Sequence, residues 1–268
     1  RQKEGSTMKA NLQRCVWVLC VSATAALAPV SDAQAQWKYG IGTGLSGQYV
    51  SGTQGFTTFA GPVKFDVDLS ASDFKDLSKS AFGFGGYAAN GPWLIQYSLG
   101  YQELEDESTA AVGGSTVTTK INFKVSGGEA TAGYLVSNTP SALIYVDGGV
   151  RYTKHKFDNS LTVTGAINQQ GSRAFSNDWT DVVVGTTINV PLSPTWTWAN
   201  RLNAGFGGSD GTYFAQTGLT WRFLPNWSAS LVGKYAKVKY EKGNEGDSDW
   251  YLYDVDEKSI GLSVLYNW

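Results

Sequence analysis

The sequence predicts an all-β fold, a transmembrane antiparallel up-and-down β-barrel of ten strands. Two observations favour this class. Large apolar side chains recur at every second residue over long stretches, and tight connections alternate with longer polar ones. Residues 93–101, WLIQYSLGY, carry a large apolar side chain at each odd position, with Leu94 and small or polar residues between. Period two over so many residues is typical of a strand whose two faces meet different surroundings.

The beginning of the sequence has the features of an export signal. Met8 is the sole methionine, and a short basic region and an apolar run at 15–27 follow it. A transmembrane helix needs about 20 apolar residues, so this run is too short to be one. A small-x-small cleavage site lies at 33–35. We therefore expect residues 1–35 to comprise upstream residues and a cleaved signal peptide, and residues 36–268 to form one barrel domain.

Composition excludes several classes of function. Both cysteines lie before position 35, so the expected mature chain has no disulfide and no thiol chemistry. It carries 17 basic and 21 acidic residues, a mild balance that gives no reason to expect nucleic acid as a partner. The chain has 32 glycines, 14 tyrosines and 10 tryptophans but only 7 prolines, which favours β-structure over disorder.

The ten predicted strands follow from the apolar alternation. They cover residues 37–51, 80–89, 92–105, 119–135, 141–157, 178–190, 195–207, 212–223, 227–241 and 253–268. The connections alternate between tight ones at 90–92, 136–141, 191–194 and 224–226 and outer ones at 52–79, 106–118, 158–177, 207–211 and 242–252. Outer-membrane barrels have short periplasmic turns and longer outer loops. An even strand count then places both ends of the barrel on the periplasmic side.

Two segments leave the details open. Residues 62–70, PVKFDVDLS, also alternate, and we place them in the first outer loop with a short helix after them. If they span the membrane the count becomes twelve, and if two weak strands fail it becomes eight. Near Gly127 and Gly128 the apolar alternation changes phase, which predicts a β-bulge that turns Glu129 inward.

The tryptophans give an independent test of the topology, because membrane barrels carry aromatic girdles at both interfaces. Seven are predicted at periplasmic strand ends: Trp37, Trp93, Trp196, Trp198, Trp221, Trp227 and Trp268. Trp179 and Trp250 are predicted near the outer ends of their strands. None falls in the middle of the membrane on this topology.

The inward faces of the predicted strands collect charges of both signs. The predicted lumen network consists of Lys38, Glu129, Asp147, Arg151, Asp181, Arg201, Arg222 and Lys234. Buried charges must be paired, and this mixture can pair. Since eight strands leave room only for side chains, a ten-stranded lumen is close to the filled limit. We therefore favour a lumen filled by a salt-bridge network, with a narrow channel as the alternative.

No catalytic, cofactor or metal site is predicted. His155 is the only histidine, so a nucleophile-His-acid site would have to use it, and our preferred interpretation is a solvated rim histidine. The glycine motif at 42–47 lacks the helix that a dinucleotide site requires. The acidic stretches 244–250 and 253–258 lack EF-hand spacing, so we favour solvated loops over a divalent-cation site.

The sequence is similar to small outer-membrane β-barrel proteins of Gram-negative bacteria, the opacity-protein and porin-like group. The resemblance covers residues 37–268 and includes the segment FDVDLSASDFKDL at 65–77 and the final aromatic residue. Omptin-type proteases, which are ten-stranded, use an Asp-His pair, and no aspartate lies two residues before His155.

The resemblance implies a location and partners. It implies the bacterial outer membrane, contact with outer-membrane lipid and lipopolysaccharide, and recognition by the barrel-insertion machinery. The insertion signal would be the apolar stripe of the last strand: Ile260, Leu262, Val264, Tyr266 and Trp268. We expect a non-enzymatic structural or surface-interaction role. The alternatives are a narrow porin-like channel for ions or small solutes and a rim-site hydrolase, protease or lipid-modifying, that uses His155.

Overall fold

A computed structural model describes residues 36–58, 61–112, 114–166 and 168–268, and the predicted signal peptide lies outside them. Most of the described residues belong to eleven β-strands of one antiparallel sheet. The strands are Lys38–Thr58 (β1), Gly61–Leu69 (β2), Ser78–Asn90 (β3), Trp93–Val112 (β4), Ser115–Asn138 (β5), Leu143–Gly165 (β6), Gln169–Pro191 (β7), Trp196–Phe206 (β8), Gly211–Leu224 (β9), Trp227–Lys242 (β10) and Tyr251–Asn267 (β11).

Ten of these strands close into a ring, which confirms the predicted ten-stranded barrel. From β3 to β11 each strand pairs with the next one in sequence, and β1 pairs with β11 on one side and with β3 on the other. The tight connections between β3 and β4, β5 and β6, β7 and β8, and β9 and β10 gather at one end, which we call the periplasmic end. Backbone hydrogen bonds of 3.0 Å between Tyr39 and Trp268 close the ring there.

The eleventh strand, β2, lies outside the ring. It pairs with the outer half of β1, from Val50 opposite Leu69 to Thr58 opposite Gly61. The alternating segment 62–70 is therefore a strand of the first outer connection and does not span the membrane. The predicted short helix follows as Ala71–Leu77 (α1). Ser70 and Asp73 begin it with a reciprocal capping arrangement, in which the Ser70 amide donates to Asp73 at 2.7 Å. Among the residues described, no helix is long and apolar enough to cross a membrane.

Two predicted outer loops are wrong. Residues 106–118 and 158–177 mostly continue the strands, so that β4 to β7 are 20 to 24 residues long. A tilted strand crosses a bilayer in about 9–11 residues, so roughly half of each of these four strands rises above the membrane. The prediction ended the strands too early because their outer halves lack the apolar outer face on which it relied.

Two aromatic girdles mark the membrane on the outer face. The seven tryptophans predicted at the periplasmic interface all lie on the outer face at the end of the barrel where the tight turns gather, with 38–55% of each residue exposed. Tyrosines and phenylalanines form the outer girdle. On five strands, an outward residue of the periplasmic girdle and one of the outer girdle are eight positions apart: Trp93 and Tyr101, Ile144 and Tyr152, Trp198 and Phe206, Trp221 and Tyr213, and Trp227 and Tyr235. This constant spacing matches the length of a membrane-spanning strand.

The last strand contributes its predicted stripe to the same surface. Ile260, Leu262 and Val264 point outward between the girdles, and Tyr266 and Trp268 belong to the periplasmic girdle, where their rings stack 5.8 Å apart. Trp179 and Trp250 differ from the prediction. Both are buried inside the part of the barrel that rises above the membrane, so neither is an interface residue.

Asn200 is a polar residue on the outward face of β8, where the sequence predicts apolar side chains. The Thr217 hydroxyl donates to its side-chain oxygen at 2.7 Å, and the Trp198 indole donates to the same hydroxyl at 2.8 Å. A chain of hydrogen bonds on the outer face therefore satisfies this amide oxygen, and a polar residue is tolerated there.

The girdles predict how a charge on the lipid face affects stability. Leu231 lies midway between Trp227 and Tyr235 and pairs with Leu219 and Leu262, which also point outward. We expect Leu231→Arg to lower the free energy of unfolding in lipid vesicles by about 2–4 kcal/mol. Tyr235→Arg, at the outer girdle, is the matched control and should cost only about 0–1 kcal/mol. Urea titration followed by tryptophan fluorescence measures both values, and equal costs at the two positions would refute this membrane placement.

Candidate functional site: the lumen and its outer cavity

The interior of the barrel is built in layers. At the periplasmic end an apolar group closes the lumen, which we call the lower apolar layer: Tyr87, Ala89, Leu94, Leu143, Tyr145 and Leu265. Above the membrane lies a second group, the upper aromatic layer: Phe56, Phe123, Phe157, Phe175, Trp179, Tyr240, Tyr251 and Tyr253. Between them lies a polar zone that contains half of the predicted lumen charges.

Four of the predicted charges form one buried network, which we call the charged layer: Glu129, Asp147, Arg151 and Arg201. Arg151 donates from Nε to Glu129 at 2.7 Å and forms a second, shorter contact through Nη2. Arg201 Nη2 lies 2.7 Å from the other Glu129 oxygen and 3.4 Å from Asp147. Register explains the first contact, since Glu129 on β5 lies directly opposite Arg151 on β6. The two cations and two anions balance, as buried charges must.

Neutral groups complete the hydrogen bonding of this layer. Arg151 donates to the Asn203 side-chain oxygen at 2.8 Å, and Arg201 donates to the Thr131 hydroxyl at 3.0 Å. The Thr187 hydroxyl donates to Asp147 at 3.1 Å. These contacts join the four consecutive strands β5, β6, β7 and β8 through side chains as well as through the backbone. Sequence reasoning missed the neutral members because an inward threonine or asparagine looks the same whether or not it faces a charge.

Lys234 lies at the upper edge of the charged layer. Its ammonium group is 5.1 Å from the centre of the Phe214 ring, and the Arg151 guanidinium approaches the same ring at 5.5 Å. Two cations against one aromatic ring indicate cation–π contacts in a partly desolvated site. Glu257 lies nearby on β11 and accepts a hydrogen bond of 3.1 Å from the Tyr253 hydroxyl.

Asp181 is buried in the lumen but serves another purpose. It is fully buried and accepts hydrogen bonds from the Gly208 and Ser209 amides and from the Ser209 and Thr212 hydroxyls, at 2.7 to 3.1 Å. The carboxylate therefore anchors the turn between β8 and β9 and is satisfied without an ion pair in the charged layer.

Lys38 and Arg222 do not join the network either. Both are exposed at the periplasmic end, and the Arg222 guanidinium donates to the Pro194 carbonyl of the neighbouring turn. The prediction assigned them to the lumen by strand parity alone, and parity does not tell how far a residue lies from the mouth of the barrel.

His155 is buried and not at a solvated rim. Only 3% of it is exposed, and its ring packs edge-on against Phe123, Trp179 and Tyr253 with centroids 4.6–5.2 Å apart. Its Nδ1 lies 2.7 Å from the Tyr251 hydroxyl. The solvated-rim interpretation is wrong because the wall of the barrel continues beyond His155 to Gly165.

A cavity of about 770 Å³ lies between the charged layer and the upper aromatic layer. Arg201, Lys234 and Glu129 border its inner end, and Phe123, Phe157, Phe175 and Trp179 border its outer part. Its side at β4 and β5 is hollowed by small inward residues, among them Ser98 and Gly100, where a Cβ added to Gly100 would meet open space. Small-molecule sites have volumes of roughly 300–1,000 Å³.

The cavity opens where the wall is incomplete. Within the described strands, β2 pairs with β1 alone, and β4 beyond Leu104 pairs with β5 alone. Residues of both free edges, including Val67, Leu69 and Leu104, line the cavity. The helix α1 lies between β1, β2 and β4 at the base of this opening, which we call the side slot. The side slot begins just above Tyr49 and Tyr101 of the outer girdle.

Two donors on the cavity wall lack a hydrogen-bond partner within the described part of the chain. They are Gln102 Nε2 and Arg201 Nε, and both atoms are buried. A buried donor without an acceptor costs free energy, so these two groups favour an acceptor oxygen in the cavity. Sequence reasoning missed Gln102, although its inward position on β4 was readable from the alternation.

The acidic stretches near the last outer connection are used within the fold. Asp247 accepts from the Asn244 amide at 2.7 Å, and Asp249 lies 3.4 Å from Lys242. Lys237 lies between Asp254 and Asp256, at 3.5 and 3.6 Å. Within the described residues, no three His, Cys, Asp or Glu side chains are grouped so that they could hold a metal ion.

Comparison with known proteins gives a fold. No protein-family model and no curated protein matches the sequence. The outer membrane protease OmpT from Escherichia coli matches in structure with a TM-score of 0.55 and 9% identity, over 87% of this chain and 96% of that one. The translocator domain of the autotransporter NalP from Neisseria meningitidis scores 0.44 at 14% identity, over 88% and 90% of the two chains. The attachment invasion locus protein Ail of Yersinia pestis scores 0.32 at 11% identity, over 88% and 100%.

Identity this low shows a common fold and does not transfer an activity. Together with the closed ring and its two girdles, the likeness to OmpT identifies the architecture. The chain has the fold of the outer-membrane β-barrel proteins of Gram-negative bacteria.

Proposed function

We propose that the protein is a non-enzymatic outer-membrane barrel that does not conduct, and that its part above the membrane serves surface interaction. The observation that carries this proposal is the filled lumen. The lower apolar layer and the charged layer lie one above the other across the barrel, and their side chains are nearly all buried. A ten-stranded barrel has little space beyond its own side chains, so two filled layers leave no wide aqueous path.

The proposed location is the outer membrane, with its lipid and lipopolysaccharide as the surroundings of the girdles and the barrel-insertion machinery as the partner of the last strand. The outer face just above Tyr101 supports a lipopolysaccharide contact. Lys120 and Lys79 lie 2.9 and 3.0 Å from Glu105 there, and Lys124 lies 3.6 Å from Glu103. These three lysines lie at the level where we place the phosphate groups of the outer leaflet.

The narrow-channel alternative is tested by conductance. We expect the purified barrel in planar lipid bilayers to give no discrete current steps above those of protein-free membranes. The physical reason is that an ion would have to pass both the buried ion pairs and the tyrosine and leucine side chains of the lower apolar layer. Reproducible single-channel steps from the folded protein would overturn the sealed-lumen proposal.

The charged layer predicts a large effect for one arginine. Arg201 contacts both Glu129 and Asp147, so Arg201→Ala leaves Asp147 buried without its ion pair. We expect the free energy of unfolding to fall by about 3–5 kcal/mol. Lys38→Ala is the matched control, because Lys38 is exposed, and should change stability by less than about 0.5 kcal/mol. Urea titration in lipid vesicles measures both, and a small effect at Arg201 would show that the layer does not hold the barrel together.

The hydrolase alternative requires a histidine that exchanges protons near neutral pH. Burial among aromatic rings lowers the pKa of His155 to about 3, so the ring stays neutral. Burial also raises the pKa of its partner Tyr251 well above the ordinary value, so that hydroxyl keeps its proton. A neutral imidazole in contact with a neutral phenol is the arrangement of a structural core residue, and it supports the non-enzymatic proposal.

This burial predicts a specific pH dependence of stability. In the unfolded chain the imidazole takes up a proton below about pH 6.5, whereas in the folded barrel it stays neutral down to about pH 3. The stability that the neutral ring contributes is therefore complete above pH 6.5 and is lost as the pH falls toward 3. From pH 7 to pH 5 the wild type should lose about 2 kcal/mol more than His155→Phe.

The control for this measurement is Val125→Ala, since Val125 lies opposite His155 on β5 and does not titrate. Urea titrations at both pH values should show that this variant is less stable but keeps the pH slope of the wild type. If His155→Phe also keeps the full slope, the histidine is not buried neutral, and proton transfer by His155 becomes the better interpretation.

A further inference from the structure

We propose that the cavity above the charged layer is a binding site for a largely apolar small molecule that carries a neutral oxygen acceptor at one end, such as a ketone, ester or alcohol. The site is distinct from the outer loops, and it goes beyond the structural and surface role proposed above. Binding to it does not depend on whether the lumen conducts, so the two proposals can fail independently.

The walls of the cavity define the body of the ligand. Aromatic side chains of β5, β6 and β7 surround its outer part, where Phe123 and Phe157 lie 4.2 Å apart and Phe157 and Phe175 lie 5.1 Å apart. Such walls favour flat or flexible apolar molecules, which gain from leaving water. The volume of about 770 Å³ falls in the range of small-molecule sites.

Two buried donors on the cavity wall define the polar group of the ligand. Gln102 Nε2 and Arg201 Nε are buried donors without an acceptor among the described residues, so the site calls for an acceptor. The charges at the inner end of the cavity, beside Arg201, are balanced: Arg151, Arg201 and Lys234 face Glu129, Asp147 and Glu257. An added anion would leave the site with an unbalanced negative charge, whereas a neutral carbonyl or hydroxyl oxygen satisfies a donor without changing this balance.

The side slot gives the route by which a ligand enters the cavity. It opens between β2 and β4 directly above the outer girdle, and its edges carry Phe65, Val67, Leu69 and Leu104. An apolar molecule dissolved in the outer leaflet, or at its surface, therefore reaches the cavity along apolar side chains. Asp66, Asp68 and Glu105 lie on the same edges, between the apolar side chains that point inward. The apolar inward side favours lipophilic ligands over sugars or peptides.

The first experiment asks whether the cavity is occupied. The full mature barrel is placed in lipid nanodiscs, because a single-chain detergent would itself compete for an apolar cavity. The probe is propionyl-dimethylaminonaphthalene, a neutral aromatic ketone whose emission shifts to the blue in apolar surroundings. We expect saturable binding of one probe per barrel above the signal of empty nanodiscs. The absence of saturable binding would overturn the proposal.

A matched pair of variants locates the probe. Gly100→Leu fills the cavity from its β4 wall, where an added Cβ meets open space, so folding should be preserved. Gly171→Leu on β7 also meets open space, but it lies away from the cavity. We expect Gly100→Leu to weaken probe binding at least tenfold and Gly171→Leu to leave it unchanged. Equal binding by the two variants would show that the probe sits elsewhere.

Displacement tests the chemistry of the polar end. Acetylnaphthalene, ethylnaphthalene and naphthoate share one shape and differ in carrying a neutral acceptor, no acceptor or an anion. We expect acetylnaphthalene to displace the probe about tenfold better than either of the other two. Gln102→Leu should remove its advantage over ethylnaphthalene without weakening ethylnaphthalene itself. If naphthoate displaces best, or if Gln102→Leu changes nothing, the neutral-acceptor assignment is wrong.

Discussion

The whole structure depends on the requirement that every backbone N–H and C=O group in the lipid has a partner within the protein. A sheet meets that requirement only when it closes into a ring, and β1 is the strand that closes it. It bonds to β11 along most of its length and, from Lys38 to Thr43, to β3, which closes the sheet at the periplasmic end. The last strand is therefore as necessary as the first, and its outward stripe from Ile260 to Trp268 completes the lipid-facing surface.

Closure at ten strands then dictates what fills the lumen. The ring is too narrow for a wide water column, so inward residues must pack or pair among themselves. At the periplasmic end they pack, through tyrosine and leucine side chains. In the middle they pair, with Arg151 and Arg201 shared between Glu129 and Asp147. Both arrangements fill the lumen with the protein's own side chains, which is why a sealed barrel is the function that this interior supports best.

Above the outer girdle the constraint is lifted, because water can satisfy a free strand edge. There the wall no longer has to close, and β2 pairs on one side only. The side slot occurs in this region and would not be tolerated within the lipid, whereas the cavity behind it extends down the lumen to the charged layer. A binding site that opens beside the membrane surface is therefore compatible with a barrel that is sealed lower down. Water can satisfy free strand edges above the lipid, whereas lipid cannot.

The same change of surroundings explains how much of the fold could be predicted from the sequence. Between the girdles the outward residues are apolar, so strand number, topology and the periplasmic tryptophans could be predicted from period two alone. Above the girdles the outward residues are polar and the inward ones aromatic. The prediction had no rule for this, so it shortened the long strands, placed Trp179 at an interface and placed His155 at a solvated rim. The pairing of Arg201 with two carboxylates was beyond reach, because it joins strands that are distant in sequence.

The predicted bulge at Gly127 and Gly128 shows the physical reason most clearly. Pairing of β5 with β6 runs without a shift from Ser115 to Leu135, so no bulge exists there and Glu129 faces inward in regular register. What changes is the solvent on the outer face. On β6 the outward series passes from Val150 and Tyr152 to Lys154 and Lys156, while the inward series passes from Arg151 to His155 and Phe157. The apolar phase of a strand thus reverses where it leaves the lipid, although the backbone does not. A phase reversal without a register shift therefore marks the membrane boundary within a long strand, and it distinguishes a barrel with an extended outer half from one that ends in loops.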